Sequence, residues 1–167
     1  MRTSTQKIVT TALLVALTCV ATMVIKIPSP LNGYINLGDC IVLLSAWMLP
    51  WSYGFLAAGL GSSLADLFSG YGEYAPATFV IKGLMALAAY GLYILLEKRI
   101  NNIVARVISG IAAELVMILG YYIFEGFLYG FVPSLINIAP NAVQGALGLS
   151  LGVVLIKLLE KQRLIKW

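Results

Sequence analysis

The 167-residue chain has no histidine, only two cysteines and few charges: 11 Lys and Arg against 7 Asp and Glu, 11% in all. An average soluble domain carries roughly 25%. With no histidine, and with Cys19 and Cys40 alone, there is no metal-ligand pattern and no nucleophile–base pair. Cys19 lies inside an apolar run, a poor place for a structural disulfide. No GxxxxGK[ST] phosphate loop is present. Gly59-Leu60-Gly61-Ser62-Ser63-Leu64 opens like a dinucleotide fingerprint but lacks the third glycine, and it lies in an apolar stretch. No enzyme, cofactor or metal is expected. The chain cannot hydrolyse ATP by itself.

Apolar residues make up 60% of the chain, and its mean hydropathy is +0.94. A water-soluble domain of this length needs a polar shell that these charges cannot cover. The bilayer is the solvent that fits. Hydropathy marks six segments: Ile8 to Ile25, Leu37 to Leu49, Tyr53 to Phe68, Thr78 to Leu96, Val107 to Phe124 and Ile138 to Leu159. The second is short and closed by Pro50; Pro50-Trp51-Ser52 is a tight turn. Lys26 to Asn36, with Pro28, Pro30, Asn32 and Gly33, reads as a longer loop, and Gly70 to Pro76 and Glu125 to Asn137 as two more on the same side. The fold class is an all-α integral membrane protein: one domain over 1–167, six transmembrane helices in one bundle. The first run follows Arg2 and Lys7 as a leader would. It is read as a span, because the later runs are as apolar and no small-residue cleavage site stands out.

Orientation follows from the basic residues. With both termini cytoplasmic, Arg2, Lys7, Lys98, Arg99, Arg106, Lys157, Lys161, Arg163 and Lys166 lie inside, nine of the 11; Lys26 and Lys82 fall on the outer half. The cations are topology signals between apolar runs, not a nucleic-acid face. The chain is expected in the cell membrane, multi-pass.

The costly polar residues then gather in the outer leaflet. Asp39 opens segment two, Asp66 closes segment three, Lys82 lies about one turn into segment four and Glu125 ends segment five. Glu114 is near mid-depth. An ionised group at bilayer centre costs about 3 kcal/mol on the insertion scale and faces a bundle interior or a wet cavity. Asn137, Asn141 and Gln144 are spaced i, i+4, i+7 and share a helix face, as do Glu114, Tyr121 and Glu125 at i, i+7, i+11. These groups, with Tyr34 and Asn36 from the first outer loop, are the candidate substrate-binding residues of a pocket open to the outside. A plain structural alternative pairs Asp66 with Lys82 to pin segments three and four. Tyr34, Tyr71, Tyr74, Tyr121 and Tyr122 could stack on a flat ligand or form an interfacial belt. Trp47 and Trp51 read as belt residues. Ala12 and Ala16, the small residues of segment three and the Gly148/Gly152 pair permit close helix approach.

Gly33-Tyr34-Ile35-Asn36-Leu37-Gly38-Asp39, then Ala57-Ala58-Gly59-Leu60-Gly61-Ser62-Ser63-Leu64-Ala65-Asp66-Leu67, resembles the substrate-binding S components of energy-coupling factor transporters. Gly70-Tyr71 and Tyr74-Ala75-Pro76-Ala77-Thr78-Phe79-Val80-Ile81-Lys82-Gly83-Leu84 extend the likeness. Size and six-span layout carry it over nearly the whole chain. The resemblance implies a subunit that binds a vitamin or vitamin precursor from outside and docks on a membrane coupling subunit bearing two cytoplasmic ATPases. It implies toppling in the membrane to deliver the ligand, with Lys26 to Asn36 as a lid. Ala12-x-x-x-Ala16 is similar to the motif that touches the coupling subunit. By similarity the nearest subgroup takes hydroxymethylpyrimidine or B6-type compounds, with riboflavin next. The acidic excess suits a neutral or amine-bearing ring better than an anion.

Two other classes compete. A six-span membrane scaffold needs no wet pocket, and the leaflet-biased polar cluster counts against it. An ion-coupled carrier or membrane enzyme is disfavoured by the lack of repeats, broken-helix pairs and a catalytic constellation.

Overall fold

A capping box starts the first helix. Thr3 Oγ1 accepts from the Gln6 amide at 3.3 Å, and Gln6 Oε1 accepts from the Thr3 amide at 3.0 Å. The computed structural model describes residues 3–31 and 33–162; Arg2, Asn32, Arg163 and Lys166 lie outside them. Helix α1 (Ser4–Val24) leads into two short antiparallel strands, β1 (Ile27–Pro28) and β2 (Tyr34–Ile35), paired Ile27 to Ile35 and Pro28 to Tyr34. Helices α2 (Gly38–Met48), α3 (Trp51–Phe68), α4 (Ala75–Leu96) and α5 (Asn102–Tyr129) follow. A short α6 (Phe131–Ser134) and a 3-10 turn (Leu135–Asn137) lead into α7 (Ile138–Lys161).

Each helix end has a local cause. Pro50 cannot continue α2 and stands at the N-cap of α3. Gly70, at φ 86°, takes the left-handed position just past α3. Pro76 sits in the first turn of α4, where its missing N–H costs nothing. Asn101 caps α5 by accepting from the Ile103 amide at 2.9 Å.

The helical reading of the six segments stands; α1, α3, α4 and α5 start two to five residues earlier than expected, α5 and α7 end later, and α2 is one residue shorter at each end. The stretch from Glu125 to Asn137, read as a loop, is helical on both sides of one break. Glu125 lies within α5, because the sequence stays apolar to Tyr129; only Gly130, at φ 93°, interrupts. The loop from Lys26 to Asn36 contains the β1–β2 hairpin. Among the described residues, four helical stretches are long and apolar enough to cross a membrane: α1, α4, α5 and Phe131–Lys161. Helix α2 is shorter, about 16 Å at about 1.5 Å per residue.

That short helix is the centre of the bundle. Every residue from Gly38 to Trp47 is buried, and α2 packs on α1, α3, α4 and α7. Glycines allow this. A methyl group at Gly148 would lie 2.6 Å from Asp39 Cβ, and one at Gly152 would lie 3.4 Å from the Cys40 carbonyl. The Gly148/Gly152 pair is therefore an internal contact. Trp47 is a core residue rather than a belt residue. It is 2% exposed, and its indole donates to Ser109 Oγ at 3.1 Å, which satisfies its one polar atom. Trp51 is exposed.

The outer surface is apolar. On α1 the large residues Ile8, Val9, Leu13, Leu17, Val20 and Val24 are exposed, while Leu14, Thr18 and Thr22 face the bundle. Exposed aliphatic faces around buried polar residues suit lipid rather than water.

Candidate functional site

At the end of the bundle where the hairpin crosses, α3, α4, α5 and α7 leave a narrow, partly open hollow. Of the residues singled out from the sequence, Tyr34, Asn36, Asp66, Tyr121, Glu125, Asn141 and Gln144 line it. Asp39, Lys82, Glu114 and Asn137 do not appear in its wall; they support it from behind.

The hairpin reaches the wall by specific bonds. Tyr34 on β2 donates its hydroxyl to Asp66 Oδ1 at 2.6 Å, and its ring lies 4.8 Å from that of Tyr71. Burial first, and the neighbouring Asp66 carboxylate second, push the Tyr34 phenol up from its ordinary value, so it stays a donor. Lys26 Nζ donates to Ser69 Oγ at 2.9 Å and ties the hairpin root to the end of α3. Asn36 donates its backbone N–H and its side-chain amide to Gln144 Oε1, at 2.9 and 3.1 Å. It also accepts from the Gly38 amide at 2.9 Å, so it opens α2 as well.

Below lies a buried knot. Lys82 on α4 pairs with Asp39 Oδ1, and Gln144 Nε2 donates to Asp39 Oδ2 at 2.7 Å. Asp39 is 0% and Lys82 2% exposed. The suggested pairing of Lys82 with Asp66 is not formed. Asp39 stands in the first turn of α2, where the helix dipole also favours its charge, and Tyr34 takes Asp66. The Lys82 ammonium lies 5.6 Å from the Tyr121 ring centre. Tyr121 shares a hydrogen bond with Thr78 at 3.1 Å.

The three amides split their duties. Asn137, in the 3-10 turn, donates to Glu125 Oε1 at 2.8 Å. Gln144 spends both ends of its amide on Asn36 and Asp39. Asn141, between them, lines the hollow. Glu114 sits against α7, where a methyl group at Gly145 would lie 2.9 Å from its Oε2. Among the described residues, neither Glu114 oxygen, nor Asp66 Oδ2, nor Glu125 Oε2 has a hydrogen-bond partner, although all are buried. Ala12 and Ala16 are exposed on α1. Among the described residues no cluster of metal-binding groups occurs, and both cysteines are free.

The hollow is thus walled by tyrosines and crossed by the hairpin at one end of an apolar bundle. The family model described as ECF-type riboflavin transporter, S component, matches residues 2–161. The chain belongs to the ECF-type transporter S component family. This S component is 33% identical over 144 residues to a protein of Pyrococcus woesei described as an uncharacterized protein in a gap 3' region, covering 86% of this chain and 94% of that one. The solved S component of a bacterial ECF transporter shares the fold, with a TM-score of 0.72 at 23% identity, over 95% of this chain and 98% of that chain. An S component is the substrate-binding subunit of a transporter rather than an enzyme. It works with the ECF membrane and ATPase modules in a membrane.

Two wall residues of this S component, Thr78 and Ser29, and one glycine behind the wall, Gly145, carry signals the sequence reading does not use. Thr78 is one turn before Lys82 on α4, and that spacing could have found it. Ser29 comes from the hairpin, which has no periodicity to read. Gly145 gives Glu114 its room and carries no side-chain signal at all.

Proposed function

We propose that this S component captures a B-vitamin or vitamin precursor with a flat heteroaromatic ring, and that it does so from outside the cell. The supporting observation is the hollow itself, walled by Tyr34, Tyr71, Tyr74 and Tyr121 with the amides of Asn36 and Asn141. Tyrosine faces hold a flat ring, and amides read its edge. The description of the matched family makes riboflavin the first compound to test; hydroxymethylpyrimidine and pyridoxine-like compounds, suggested by the sequence motifs, come second. Single-domain action over 1–167, six spans, cytoplasmic termini, a cell-membrane location, one coupling subunit with two ATPases, and docking through Ala12 and Ala16 belong to the same reading.

Binding to the purified protein tests it. Tryptophan fluorescence or thermal shift across these compounds should give micromolar or tighter affinity for one of them. Asn141→Ala should weaken that affinity at least about tenfold without lowering the unfolding midpoint. No binding across the panel rejects the reading.

A further inference from the structure

The hollow is charged on one side of the ledger only. Asp66 on α3 and Glu125 on α5 both line it, 5% and 2% exposed. No lysine or arginine is in its wall among the described residues. Two cations stand nearby: Lys82 is paired with Asp39 beneath the floor, and Lys26, exposed at the hairpin root, donates to Ser69 and lies 5.9 Å from the Tyr34 ring centre.

Each of the two carboxylates is half used. Tyr34 occupies Asp66 Oδ1, while Asn137 and Tyr74 donate to Glu125 Oε1 at 2.8 and 3.4 Å. The second oxygen of Glu125 is buried without a partner, and that of Asp66 makes no hydrogen bond within 3.5 Å, with the Thr78 hydroxyl as its one neighbouring donor. A buried acceptor left unmade is costly, and these two come from different helices. A ligand that brings an O–H or N–H to each removes both costs. A ligand that brings a phosphate or carboxylate instead adds acceptors to a low-dielectric site that already has them to spare, together with a charge that no cation in the wall offsets.

We infer that the hollow selects ligands that are not anionic and that donate hydrogen bonds in two directions, with Asp66 and Glu125 as the residues that reject the phosphate esters and carboxylate forms of the same compounds. The inference rests on the vitamin-binding reading and narrows it to the unphosphorylated, hydroxyl- or amine-bearing member of each pair.

The test compares parent and ester on the full chain in detergent: riboflavin with riboflavin 5′-phosphate, and pyridoxine with pyridoxine 5′-phosphate. The parent that binds should do so about a hundredfold more tightly than its ester. Asp66→Asn and Glu125→Gln keep the shape and remove the charge. Each should narrow that ratio at least about tenfold, with the unfolding midpoint checked alongside. Equal wild-type affinity for parent and ester overturns this inference alone, and needs no variant to do so. An unchanged ratio in both folded variants overturns the role of these two residues. Failure of every parent to bind overturns the vitamin reading and this inference with it.

Discussion

Two ends of the bundle handle their buried charges differently. Away from the hairpin, Arg106 on α5 donates both terminal guanidinium nitrogens to Glu160 on α7, at 3.0 and 2.6 Å, and stacks 5.5 Å over the Tyr93 ring. Trp47 and Ser109 close the same region with one more bond. At the hairpin end the Asp39–Lys82–Gln144 knot is as well matched, but Glu114 behind the wall has neither oxygen bonded, and Asp66 and Glu125 in the wall each keep a buried oxygen unbonded. The difference separates two uses of polar groups in an apolar bundle. A group whose bonds are filled within the protein fixes helices to one another. On the proposed reading, a group left half-filled beside a hollow is provision for a ligand.

Breaking the knot should give the largest effect. Lys82→Met leaves Asp39 buried without its counter-charge and should cost about 3–5 kcal/mol of stability, read as a lowered unfolding midpoint of the detergent-solubilised protein. An unchanged midpoint would blur the distinction drawn between the knot and the wall. Gln144→Ala should come next. It strands Asn36 and one Asp39 oxygen, for about 1–3 kcal/mol, and it unties the hairpin, so bound ligand should dissociate faster. Stability loss with an unaltered off-rate would make Gln144 part of the knot alone. The smallest change in stability, within about 0.5 kcal/mol, belongs to Ala12→Trp and Ala16→Trp on the exposed side of α1. Ligand binding should persist in both variants while uptake by cells carrying the coupling modules is lost; normal uptake would remove the docking role from this face.

Periodicity found the helices because apolar length is a property of contiguous residues. It also brought Asn141, Tyr121 and Glu125 towards one region, since spacing along a helix fixes a face. It could not assign partners. Asp66 and Asp39 look alike in the sequence, one at the end of a helix and the other at the start. Only the fold reveals that α2 carries Asp39 to Lys82 and that β2 brings Tyr34 to Asp66. The glycines were read as a class of close contacts, yet their partners were not legible. Gly145 faces a carboxyl group, and Gly148 faces the helix that bears another. Trp47 lies in the core rather than in the expected interfacial belt for the same reason: its short helix is surrounded by others.

The sequence by itself settled the solvent, the class of fold and the polar residues too costly to be idle, since burying charge in an apolar chain requires a reason wherever it occurs. Which of those charges cancel one another, and which face the hollow with an oxygen to spare, was decided by tertiary structure. Those outcomes depend on distances of a few ångströms between helices far apart in the chain, and no local pattern encodes them.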